Sequence, residues 1–212
     1  MAEGIRHMFQ QTGRVRFLED AIILHRKALE HLPLRNGDRA FSLRGLAICL
    51  AERYDCRGNV ADLEEAITLG RSALEICPPG HPDHCISLHN LACDLRKMFA
   101  KRAAICDLEE AIEMHRAVLE LRPPGGPPRY SSLHLLGLCL VDRYKTEVAT
   151  PGRAALARRP PGSAGRGTAD LDEAIALERE TLQLLTPGDP CYDEAQLCLG
   201  AYIRMKNRSR RN

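Results

Sequence analysis

The chain predicts an all-α fold: a right-handed α-solenoid of antiparallel helical hairpins, about 45 residues per unit, with no sheet. Three observations lead there. A hexad recurs four times, as Phe17-Leu18-Glu19-Asp20-Ala21-Ile22, Asp62-Leu63-Glu64-Glu65-Ala66-Ile67, Asp107-Leu108-Glu109-Glu110-Ala111-Ile112 and Asp170-Leu171-Asp172-Glu173-Ala174-Ile175. The first three copies are 45 residues apart and the fourth follows after 63, which leaves 18 extra residues in the third repeat. A fixed period of roughly 20–50 residues marks stacked units that bury their apolar faces on one another rather than in one core. Within each repeat the apolar residues keep helical spacing, and no stretch alternates with period two.

The elements follow in order. Phe9 and Gly13 stand 45 residues before Tyr54 and Gly58, so residues 1–11 read as the tail of a helix and 1–16 as a truncated repeat whose beginning is missing. Unit 1, residues 17–61, pairs the first hexad helix with a second helix over Ala40–Tyr54. In unit 2, residues 62–106, Asp62 and Glu65 have capping-box spacing, which predicts Asp62 as the helix N-cap. Leu63, Ala66, Ile67, Leu69, Ala73, Leu74 and Ile76 follow at helical spacing until Pro78-Pro79-Gly80 ends the ladder. His81-Pro82-Asp83 then leads into a second helix carrying Ile86, Leu88, Leu91, Ala92, Leu95 and Phe99. Unit 3, residues 107–169, repeats the pair with a second helix over Arg129–Tyr144. It also carries a Pro/Gly/Arg-rich insertion at 150–168, expected as a flexible loop or as a misread intron. Unit 4, residues 170–212, is incomplete and closes on a basic tail: Arg204, Lys206, Arg208, Arg210 and Arg211. Small residues at Ala47, Ala92 and Gly137 would let paired helices approach closely.

The second helices read Leu43-x2-Leu46-Ala47-x2-Leu50, Leu88-x2-Leu91-Ala92-x2-Leu95 and Leu133-x2-Leu136-Gly137-x2-Leu140. This resembles the first helix of the tetratricopeptide repeat (TPR). The hexad helices supply that family's alanines and closing proline at Ala66, Ala73 and Pro78, while His25, Gly70, His115 and Glu178 replace its large residue four beyond the alanine. The longer period resembles the kinesin-light-chain-like branch, with Pro79-Gly80-His81-Pro82-Asp83 before Leu88-His89-Asn90-Leu91-Ala92, and the wording resembles fungal TPR/CHAT-type multidomain proteins. The resemblance implies a concave groove lined by the second helices that holds a peptide or a partner helix. Carried over, its candidate contacts are Arg44, His89, Asn90, Arg96, Lys97 and His134.

Composition narrows the function classes. Thirty basic against 28 acidic residues leave +2, which gives no global attraction to nucleic acid or an acidic membrane. The longest apolar run, Leu135–Val141, is far short of the roughly 20 residues of a spanning helix. Nine cysteines, an odd number, with Cys49, Cys93, Cys139 and Cys198 at helical apolar positions, read as free thiols in a reducing cytoplasmic or nuclear setting.

Site chemistry is sparse. His81-x2-His84-Cys85 with Cys77 offers one ligand pair of metal-like spacing, whereas structural zinc usually takes two. Pro123-Pro124-Gly125-Gly126-Pro127 lacks both the lysine and the N–H groups of a phosphate loop. His25 and His115, like Cys49 and Cys139, recur at the repeat period, so packing explains them better than one asymmetric catalytic site. The sequence thus predicts no catalytic, cofactor-binding or metal residues and no cofactor. It predicts a non-enzymatic scaffold for a protein or peptide partner, with uncapped terminal helices open to end-to-end self-association. The alternative is a regulatory or sensor fragment of a larger caspase-like (CHAT) protease or NTPase switch protein.

Overall fold

The structure, a computed structural model, describes residues 1–33, 37–122, 129–149 and 166–209. Among the described residues the fold is all-α: α1 (Ala2–Thr12), α2 (Arg16–His31), α3 (Gly37–Arg57), α4 (Val60–Ile76), α5 (His84–Arg102), α6 (Ile105–Leu121), α7 (Arg129–Ala149), α8 (Arg166–Leu184) and α9 (Pro190–Ser209). The hexads lie on α2, α4, α6 and α8; the other long helices intervene. The chain divides into two compact units, Met1–Asp107 and Leu108–Asn212. The insertion 150–165, the 123–127 loop, Arg210 and Arg211 lie outside the described residues. Residues 166–168, expected in the loop, are already the first turn of α8.

In each hexad the Leu, Ala and Ile face inward. Leu18, Leu63, Leu108 and Leu171 are all fully buried, as are Ala21, Ala66, Ala111 and Ala174. In the first unit they pack with Leu46, Ala47, Cys49 and Leu50 of α3, flanked by Ile5, Phe9, Leu29 and Leu69. Each buried leucine contributes about 1.5–3 kcal/mol of transfer free energy. The most extensive pairings are α3 with α4 and α7 with α8. The tight hairpin therefore joins an intervening helix to the hexad helix after it, through the short Gly58-Asn59 turn, rather than through the proline-rich linker. The hexad marks the period of the array without marking its hairpin.

That turn has a recurring backbone solution. Gly13, Gly58 and Ala103, each 45 residues apart, adopt left-handed φ of 66°, 71° and 52°. Their amides donate to the carbonyls of Phe9, Tyr54 and Phe99, each at 2.7 Å, closing the helix end. Ala103 is the only one of the three that carries a Cβ into this region.

The predicted cap at Asp62 is displaced. Helix α4 begins at Val60, and Asn59 is its N-cap, its side chain accepting from the Ala61 amide at 3.2 Å. Asp62 is the third residue, within the first turn, and is 4% exposed, and its two oxygens accept a fork from Arg53 at 2.7 and 2.8 Å. Asp170 does the same with Arg143, at 2.8 and 2.6 Å. A charge-assisted bidentate pair in a nearly dry setting outweighs the exposed cap that Asp62 could have made. Glu65 does not complete a capping box; it is engaged by Arg26 at 2.8 Å.

The hexad helices end under a second recurring device. Proline after each helix leaves the last-turn carbonyls without helical partners. Arg39 donates to the carbonyls of Leu29 and Leu32, and Arg129 donates to those of Leu119 and Arg122, at 2.8–2.9 Å. At the same repeat position, His84 bonds through Nδ1 to the Cys77 carbonyl at 2.7 Å.

Candidate functional site

The candidate contacts fall in both units. In the first, Arg44 is half-buried on α3, 3.1 Å from Asp83, and its guanidinium stands 5.5 Å from the Phe41 ring centre. His89, on α5, lies 3.9 Å from the Cys93 sulfur. Asn90 and Arg96 are half-buried on the same helix. Lys97 reaches across to Asp55 at 2.6 Å. Phe41 and Ile86 occupy one repeat position on α3 and α5, and both remain exposed, at 44% and 46%. The candidate residues of this unit are therefore largely basic groups, Arg44 and Lys97 held by carboxylates, on helices that also carry the exposed Phe41 and Ile86.

Behind it lies an unexpected acid. Asp94 stands where the repeat has Cys49 and Cys139, and is 6% exposed. Burial pushes its carboxyl up to about 7, with Lys97 pulling the other way and Asp55 adding to the rise. Cys49, at the same position in α3, is pushed up to about 12 by burial, which fits an inert packing thiol.

His134 has a different setting from the other candidates. It is 15% exposed, and its Nδ1 lies 2.8 Å from Glu178 Oε1, with Glu194 3.7 Å from Nε2. Glu178 is fully buried; its Oε2 has no hydrogen-bond partner. Burial raises its pKa, against the opposing hydrogen bond and charge of His134. Cys198 of α9 completes a cluster with His134 of α7 and Glu178 of α8, their ligand atoms all within 4.8 Å. Burial also raises the Cys198 thiol and the neighbouring Tyr202 hydroxyl above their ordinary values. Sequence reasoning took Cys198 as an apolar packing residue and Glu178 as a departure from the repeat pattern. The available signal was that departure: a carboxylate at an interior position.

The first pocket, around His25, shows the same geometry with exchanged chemistry. His25 of α2 is 2% exposed, and Glu3 of α1 is 3.9 Å from its Nε2. Burial lowers the His25 pKa, opposed by Glu3. Gly45 of α3 supplies the space for the ring: a Cβ there would stand 2.3 Å from Cε1 and 2.5 Å from Nε2. The small-residue approach predicted at Ala47 and Ala92 occurs as buried packing, while the closest approach belongs to Gly45.

His81 and His84, weighed as metal ligands, have local duties. The His81 Nδ1 accepts from the Asp83 amide at 3.1 Å, and His84 holds the Cys77 carbonyl. No helix among the described residues is long and apolar enough to cross a membrane.

Comparison with known proteins agrees with this architecture. A tetratricopeptide repeat profile matches residues 85–125, which span α5 and α6. Crystal structures of a putative kinesin light chain from Podosopora anserina, with nearly identical TPR-like repeats, superpose with a TM-score of 0.51. The two forms, one carrying a single substitution, are 20% and 21% identical to this chain, covering all of it and 95% of their own length. No curated protein matches the chain. The fold is that of TPR-like helical repeats, a type that generally serves as a protein-interaction scaffold.

Proposed function

We propose that the chain is a non-enzymatic scaffold that binds a peptide or partner helix on the intervening helices, with the α3–α5 face of the first unit as its principal contact surface. The observation that carries this reading is the exposure of Phe41 and Ile86 at one repeat position. A repeat protein buries its periodic apolar residues on neighbouring helices. Two large apolar side chains left partly uncovered at a recurring position, with Arg44 one turn on from Phe41 and Asn90 one turn on from Ile86, suit an apolar anchor with a polar rim, and Arg96 and Lys97 lie further along α5. Both are already more than half covered, so burying what remains on a ligand is worth about 1 kcal/mol each, a contribution suited to a modest-affinity complex. The nine free thiols support a cytoplasmic or nuclear setting.

A photo-crosslinking amino acid at Ile86 or Asn90 should trap a partner that one at Glu75, on α4, does not. Phe41→Glu with Ile86→Glu should abolish that capture with an unchanged melting temperature. Equal trapping from α4, or capture surviving the double substitution, overturns the assignment. The regulatory-fragment alternative shares this surface and requires the captured partner to be a catalytic or nucleotide-binding domain.

A further inference from the structure

Among the described residues, Glu178 is a carboxylate buried completely with one oxygen unsatisfied. A buried ionised carboxylate is retained at a large solvation cost unless it is paired or holds a metal, and His134 occupies only one of its two oxygens. Three different helices deliver an imidazole, a carboxylate and a thiol to this one point. We infer that His134, Glu178 and Cys198 form a binding site for a borderline-soft divalent metal of the zinc class.

The donor set selects the metal. A hard cation such as magnesium or calcium takes oxygen ligands, and this site offers only one carboxylate among its three inner groups. Nitrogen, sulfur and carboxylate oxygen together are the set from which zinc sites are drawn. The charges also balance. A divalent ion, one carboxylate and one thiolate sum to zero, so a mostly buried site carries no net charge when filled. On binding at His134 Nδ1, the ion displaces the proton held between that nitrogen and Glu178 Oε1, which passes through solvent to His134 Nε2, facing Glu194, so the imidazole stays neutral and the carboxylate ionised. The Cys198 thiol releases its proton to solvent as the sulfur–metal bond forms, since a coordinating thiol is deprotonated. Ligands of a tetrahedral zinc stand roughly 3.4 Å apart, so the His134 Nδ1–Glu178 Oε1 pair, at 2.8 Å, opens slightly and the wider separations, all within 4.8 Å, close around the ion. The fourth position falls to water, while Glu194, whose side chain is 67% exposed and whose Oε1 is 3.7 Å from His134 Nε2, stands on the far side of the ring, where it can orient the other ring N–H. Such an ion would tie α7, α8 and α9 together and stabilise the second unit by binding only its folded form.

The test uses the full 212-residue chain, stripped of metal and titrated with zinc(II) and, separately, cobalt(II). One equivalent should bind, raise the melting temperature, release protons, and with cobalt give a near-ultraviolet thiolate charge-transfer band. Cys198→Ser and Glu178→Gln should each weaken binding at least about tenfold, and Cys198→Ser should lose the band. Cys85→Ser, beside His81 and His84, should change nothing. Circular dichroism checks that each variant is folded; His134→Gln replaces any that is not. Cobalt bound without a thiolate band, affinity unaltered in Cys198→Ser, or loss of binding in Cys85→Ser each shows an adventitious ion only and overturns the site.

Discussion

The pocket around His25 and the pocket around Glu178 are built on one plan and filled with opposite chemistry. In each, a titratable side chain on a hexad helix points between two flanking helices, and the preceding helix supplies its counter-group. In the first the buried group is a base, with Glu3 3.9 Å away; in the second it is an acid, with His134 at 2.8 Å. The following helix sets the difference. Gly45 leaves room for a ring and nothing else, whereas the same repeat position in α9 is Cys198. A histidine over glycine makes a tightly packed interior in which the ring Nε2 is left without a hydrogen-bond partner. A glutamate beside histidine and cysteine makes a polar one, in which an equally unpartnered Oε2 has two further ligand-type groups close by. Repetition fixes the place of these groups, and local substitution decides whether the place is structural or chemical.

The comparison can be broken by substitution, beginning with the largest effect. Gly45→Ala forces a methyl into the His25 ring and should destabilise the chain by about 2 kcal/mol or more, read as a fall in melting temperature. The helix-propensity gain of about 1 kcal/mol for alanine does not offset this. A neutral outcome would show that His25 moves easily and that the first pocket is not tightly packed.

Asp94→Cys, which restores what the repeat carries at 49 and 139, should stabilise the protein on the order of 2 kcal/mol at pH 8. The sign follows from the raised folded pKa. The acid favours folding only while protonated, so its contribution falls as pH rises from about 4, near the unfolded carboxyl, to about 7, where the folded one titrates. The advantage of the cysteine should therefore vanish by about pH 4 in denaturant melts, and an advantage that is flat with pH would contradict burial as the cause.

The two pockets should also respond to pH in opposite directions. The lowered folded pKa of His25 means that stability is lost as pH falls below the ordinary histidine value of about 6.5. The raised folded pKa of Glu178 means that stability is lost as pH rises above its ordinary 4.5. In metal-free protein, Glu178→Gln should remove the second slope and leave the first, so its stability relative to the parent grows with pH above about 4.5. A parallel shift at all pH values would mean the carboxylate is already well satisfied.

The smallest effect should come from Gly137→Ala. Its Cβ would meet Glu178 Oε1 at 3.4 Å, an ordinary contact, so the helix gain of up to about 1 kcal/mol should show as a slight rise in melting temperature. A loss as large as that at Gly45 would erase the distinction between the pockets.

The legible part of this protein was whatever repeats along the chain. The helices, their period, the terminating Gly13 and Gly58, and the inward Leu-Ala-Ile of every hexad could be read because 45-residue spacing is a linear property. The cap at Asn59 was missed although Gly58-Asn59 signals a helix stop followed by a start. The Asp62-to-Glu65 spacing looked like a box, and the competing Arg53 lies nine residues back on another helix. His134 was placed among surface contacts for the same kind of reason: its partner Glu178 is 44 residues away, beyond an insertion that breaks the register.

The sequence by itself therefore determined the construction: an all-α array whose units must pack on one another, because amphipathic helices of fixed period have no other way to bury their apolar faces. Only the tertiary structure decided which polar groups went inside. Whether a carboxylate caps a helix, forks an arginine or waits beside a thiol depends on which side chains from other helices reach it and how much water remains. Those distances are set by packing, and no spacing along the chain encodes them.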